Sequence, residues 1–106
     1  MEKQGIYIMT NTAQTFWLNT PLNAINKLMD QTFSYAQEVD ADMAEMYMGD
    51  LRDFKKAVTL FRNSDCEGLA DFICDMDTAS REQLIVAFGE DCGKDFVSQN
   101  LGWELA

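Results

Sequence analysis

From Leu22 onward, apolar side chains recur at steps of three and four, the period of one helix face. Leu22, Ile25, Leu28, Met29, Thr32, Phe33 and Ala36 make the first stripe, and Asn23, Asn26, Lys27, Asp30 and Gln31 fill the opposite face. Thr20–Pro21 supplies the start signal, with threonine as N-cap and proline at the first helical position. The pattern breaks at Val39 to Asp42, where Asp40 is the next cap. Met43, Met46, Tyr47, Leu51, Phe54, Val58 and Phe61 form a second stripe, which predicts one helix over 42–62. Gly49 lies inside it and leaves open two helices joined at Gly49–Asp50.

Ser64-Asp65-Cys66-Glu67 fits a capping box, with Leu69, Phe72 and Ile73 on the face that follows. Asp75 to Thr78 ends that short helix and caps another, whose stripe is Leu84, Ile85 and Phe88 and whose stop is Gly89. A last helix over 91–101 buries Phe96, Val97 and Leu101 and stops at Gly102, with Trp103 placed to fold back on its end. Before these, 12–18 predicts a short helix capped by Asn11 or Thr12. Phe16-Trp17-Leu18 cannot all face one way, so one of them packs from another angle or stays exposed. Residues 1–10 read as a tail or short extended piece. The expected fold is all-α: a single compact bundle of five or six helices, one domain over 1–106.

Composition agrees. One proline and six glycines are too few for a sandwich of many short strands, and 47% hydrophobic content supports a core. A chain of 106 residues buries roughly 65% of its extended surface. The three cysteines, Cys66, Cys74 and Cys92, include no Cys-x-x-Cys pair, and there is no histidine. They read as reduced thiols, small core residues of a cytoplasmic protein. The Ile6–Met9 run is too short for an export signal, and Leu84 to Phe88 is far too short for a membrane span.

Charge changes the picture most. Asp and Glu number 18 against 8 Lys and Arg, a net charge of -10. Such a surface repels nucleic acid and anionic membranes and attracts basic proteins, above all those that bind nucleic acid. Glu38, Asp40, Asp42, Glu45, Asp50 and Asp53 crowd one stretch, with only Arg52 among them. Asp65, Glu67, Asp71, Asp75 and Asp77 form a second group with no base between them. On helices, carboxylates at such steps stand about 5–6 Å apart, a little closer than phosphates along a DNA strand. Two such rows present an anionic ladder. The plainer alternative is a solvated acidic face. Met43, Met46 and Met48, beside Tyr47, read either as core filling or as an adaptable apolar contact ringed by acids.

Recognised chemistry fails on inspection. The stretch 89–94 is one residue short of a phosphate-binding loop, has Asp95 where serine or threonine belongs, and carries Glu90 and Asp91 against the phosphate. Calcium loops begun at Asp40 or Asp75 place Glu45 or Ser80 where glycine is needed and Leu51 or Val86 where glutamate is needed. Without histidine, no side chain titrates near neutrality unperturbed, and a cysteine nucleophile lacks its usual base. The chain reads as a binding protein without catalysis, metal or cofactor.

The acid clusters Glu38–Asp53 and Asp65–Asp77, set on helices with no cofactor motif, resemble those of small acidic proteins from phages and other mobile elements that disable host defence. These include anti-CRISPR proteins and antirestriction proteins that mimic DNA. The resemblance implies a stoichiometric inhibitor that covers the Lys/Arg-rich surface of a CRISPR effector, nuclease or restriction enzyme. It implies contact through Glu38, Asp42, Glu45, Asp50, Asp53, Asp65, Glu67, Asp71, Asp75 and Asp77, with no direct nucleic-acid or membrane binding. Lys55, Lys56 and Arg62 depart from a uniform anionic face. The competing expectation is an acidic helical interaction subunit, such as an antitoxin or secretion chaperone, making contact through Phe16, Trp17, Met46, Met48 and Trp103.

Overall fold

The hydrophobic stripes fold into helices that share one core. The structure, a computed structural model, describes residues 16–105. The caps at Asn11 or Thr12, the Ile6–Met9 run and the tail over 1–10 lie outside them. The described residues form helices and turns with no strand, the all-α architecture the periodicity predicts. Helix α1 is Asn23–Glu38, α2 Ala41–Arg62, α3 Cys66–Asp75 and α4 Thr78–Cys92. A single turn, α5 (Lys94–Phe96), runs on into a π-helical segment, Val97–Leu101. Residues 16–19 are also helical. Helices α1 and α2 pair as a hairpin, α4 packs on α1, and α3 lies between α2 and the π segment.

Gly49 does not divide α2. Asp40 caps that helix, accepting from the Met43 amide at 3.0 Å. Asp77 likewise caps α4, accepting from Ser80 N at 3.2 Å. Three expected boundaries are displaced. Thr20–Pro21 does not start α1. Buried Leu22 draws the chain inward, so the helix opens at Asn23, and Thr20 closes the preceding turn through its amide and hydroxyl, both donating to Phe16 O. The α1 amides are capped from a distance: the Asp91 carboxylate accepts from Ala24 N at 2.8 Å and from Ile25 N at 3.1 Å.

Ser64 is not the cap of α3. It stands at φ 61°, closing α2 with paired bonds from Ser64 N to Phe61 O and from Asp65 N to Leu60 O, both 3.0 Å. A left-handed residue cannot also take the extended backbone of a cap, so Asp65 caps α3 through Gly68 N at 2.9 Å. Gly89 does not stop α4. The Leu105 side chain packs against its bare Cα, and the stop falls at Gly93, φ 98°.

Phe54, Phe61, Phe88, Ile25, Leu69, Ile73, Leu84 and Val97 are fully buried. Trp17 joins this core at ring distances of 4.7 Å from Phe61 and 5.4 Å from Phe96, while Leu18 faces solvent. The Arg62 guanidinium holds that first segment by donating to the carbonyls of Trp17, Leu18 and Thr20, each at 3.0 Å. Phe96, Val97 and Leu101 are buried as expected.

The stripes reach further than the core does. Phe33 is 48% exposed, Met43 40% and Met46 51%. Phe33, on the first stripe, is therefore not a core residue, and of the two readings of Met43 and Met46 core filling is corrected. The α1–α2 hairpin runs on beyond the first turn of α4, where no described element covers it. The cysteines are free: half-buried Cys92 packs against the core as expected, whereas Cys66 is half-buried outside it and Cys74 is exposed, which corrects the core assignment for those two.

Candidate functional site

The acids fall into three settings. Glu38, the last residue of α1, and Asp42 and Glu45, on the first turns of α2, are exposed at the tip of the hairpin. Asp50 and Asp53 lie half-buried midway along α2. Asp65, Glu67, Asp71 and Asp75 are exposed along α3, and Asp77 is exposed at the start of α4.

The fold brings together Asp50, Asp53 and Asp77, from both sequence clusters. Ser80 joins two of them. Its hydroxyl donates to Asp50 Oδ1 at 3.0 Å and its amide to Asp77 Oδ2 at 3.2 Å. Burial, opposed by the Ser80 hydrogen bond and reinforced by the charges of Asp77 and Asp53, pushes the Asp50 carboxyl above its ordinary range. Asp77 shifts the other way, because the Ser80 amide stabilises its charged form. A cleft of about 290 Å³ opens here, lined by Met46, Tyr47, Asp50, Asp77, Ser80 and Gln83 among others. Asp65 and Glu67 stand apart, where α3 leaves the far end of α2. Asp50, Asp65 and Asp77 thus already hold the fold together through hydrogen bonds.

Two of the three bases that break the anionic face are turned to other tasks, and Lys55 is exposed. Arg62 serves backbone carbonyls, and Lys56 Nζ stands 4.9 Å from the Phe72 ring centre. Arg81 stacks 4.7 Å above the Trp103 ring and reaches the Cys74 and Met76 carbonyls.

A wider groove, about 620 Å³, runs between α1 and α4, lined by Leu28, Val86 and Ala87 and by the charged Lys27, Glu82 and Glu90, among others. No group of three or more carboxylates or thiols among the described residues is arranged to hold a metal ion. Burial raises both half-buried thiols, Cys92 to about 12, against neighbouring Asp91, and Cys66 upward beside Asp65 and Glu67.

Sequence reasoning missed Ser80, Asp91 and Tyr35. Ser80 lies three residues after the Asp77 cap, a local signal of contact with that carboxylate but not with Asp50. Asp91 acts across the fold, which no spacing announces. Tyr35 sits outside the predicted stripe, yet its ring meets Tyr47 at 5.8 Å. No protein-family model, curated protein or solved structure matches the chain.

Proposed function

We propose that this chain is a non-enzymatic acidic binding protein that inhibits a nucleic-acid-binding host protein by occupying its basic surface, in the manner of anti-CRISPR and antirestriction proteins. The observation that carries the reading is where the carboxylates stand. Two of them, Glu38 and Asp50, occupy positions that cost stability. Glu38 ends α1, where the helix dipole disfavours negative charge and the last turn holds no base. Asp50 is half-buried beside two further carboxylates. Charge kept at such places is suited to a partner of opposite sign. The raised thiols of Cys66 and Cys92 are the reverse of what a cysteine nucleophile requires.

The test separates charge from fold. Glu38→Lys should raise stability by about 0.3–1 kcal/mol through the dipole, and Asp75→Lys by less, because Arg81 already meets the carbonyls at the end of α3. The same changes should weaken stoichiometric inhibition of a sensitive restriction enzyme or CRISPR effector several-fold. Wild-type inhibition should fall steeply with added salt. Inhibition that ignores both reversal and salt would sink the proposal. Exposed Met43 and Met46 favour the second reading, an interaction subunit with an apolar contact. It expects binding that persists at high salt.

A further inference from the structure

The core face of the hairpin continues past the element that covers it. On α2, Phe61, Ala57 and Phe54 are buried at steps of four and three, and the next positions on that row are Asp50, Tyr47 with Met46, and Met43. On α1, Ala24, Leu28 and Gln31 face α4 across the groove, and Tyr35 is the next position on theirs. The two rows converge, as the Tyr35–Tyr47 contact at 5.8 Å shows. Helix α4 begins at Thr78, with Ser80 bonded to Asp50, and covers neither row further out. What remains is a two-helix floor of Tyr35, Met43, Met46 and Tyr47 that no other described element covers. Tyr35 is 50% exposed and Met46 51%.

We infer that this floor is the docking surface of the molecule, and that its occupant is an amphipathic helix of a partner protein carrying lysine or arginine beside its apolar face. Two observations select that occupant. The hairpin already accepts a helix, α4, which packs on the α1 row and meets the α2 row at Phe61 and Asp50, so the vacant length fits another. The surface is also ringed by carboxylates: Glu38 and Asp42 at the tip, and Asp50 and Asp77 at the inner end, where the 290 Å³ cleft is open to a basic side chain. A second copy of this chain would bring its own -10 charge against that ring. Methionine suits the floor, since its unbranched side chain repacks around differing apolar groups. The inference rests on the binding reading above and adds where the contact lies and what shape it takes.

The experiment uses the full chain and a synthetic leucine–lysine peptide of roughly five helical turns, its leucines at helical period. A scrambled isomer of the same composition is the control. Binding is followed by anisotropy, and by NMR of the methionine methyls, with buried Met76 as internal reference. The expected result is about tenfold tighter binding of the amphipathic peptide, with shifts at Met43 and Met46 and none at Met76. Met46→Ser should weaken it at least fivefold, and Glu67→Gln, on α3, less than twofold. Equal, salt-sensitive binding of both peptides overturns the docking surface and leaves the charge-based reading standing. No binding of either peptide at low salt overturns both. Self-association that broadens the Met43 and Met46 signals as protein concentration rises overturns the choice of occupant in favour of a second copy.

Discussion

Single residues fix the ends of these helices, and their contributions are separable. Asp91 supplies α1 with the cap that its own sequence lacks. Asp91→Ala should cost about 0.5–2 kcal/mol in urea unfolding, whereas Ala at exposed Glu90 should stay within about 0.5 kcal/mol. Equal losses would mean that the cap is idle. Ser64 holds a left-handed backbone that costs an L-residue about 1–2 kcal/mol. Ser64→Gly removes that strain but frees the unfolded chain, so a net gain of roughly 0.5–1 kcal/mol is expected. A loss would show that the hydroxyl matters more than the backbone. The caps at Asp40 and Asp77 were legible because each bonds three residues along its own chain. The same local logic misplaced the cap of α3 by one residue, because Ser64 serves the end of α2 instead. Asp91 was illegible, since its partners lie 66 and 67 residues away.

At the scale of the element, periodicity located the helices and the length of the neighbouring helix decided which faces are buried. Phe33 and Phe54 look equivalent in sequence, each on an apolar stripe. Phe54 is fully buried and Phe33 is half in solvent, on a part of α1 that no other described helix encloses. Phe54→Ala should therefore cost roughly 3–5 kcal/mol and Phe33→Ala under about 1 kcal/mol, measured by denaturant midpoint. Similar costs would mean that the hairpin tip is covered in solution. Gly49 lies inside an unbroken helix, and a Cβ there would meet only Arg52, at 3.6 Å. Gly49→Ala should stabilise α2 by about 0.5–1 kcal/mol. Destabilisation would show that the backbone near Gly49 is approached by something beyond the described contacts. Of the candidate site, the acidic ends of α1 and α3 could be read from sequence. The meeting of Asp50, Asp53 and Asp77 could not, because it depends on where α4, packed on α1, brings Asp77 and Ser80 up to α2.

For the whole molecule, charge sets how stability responds to solution conditions. Ten excess negative charges oppose compaction, and salt, with a screening length of about 10 Å at 0.1 M, relieves them. The melting temperature should therefore rise with sodium chloride. Without histidine, the side chain that ordinarily titrates in that window, it should stay nearly flat between about pH 6 and 8. Below that, opposite shifts compete. The Asp50 carboxyl is raised in the fold, so its ionised form detracts from stability at neutral pH, and that cost disappears as pH falls through its folded value. Asp77 is lowered from 3.8, so its contribution is present above that value and is lost as pH falls through the lowered one. Stability should then climb toward about pH 5, as the net charge also shrinks, and collapse in stronger acid. Asp50→Asn should reduce the climb without moving the collapse. In alkali, Cys92, raised from 9.0 to about 12, favours the folded state only while protonated, so stability falls as pH rises above 9.0. Cys92→Ala should flatten that limb. Thermal melts across pH and salt check each part. A melting temperature that drops between pH 8 and 6, or that ignores salt, would show that self-repulsion does not govern this fold.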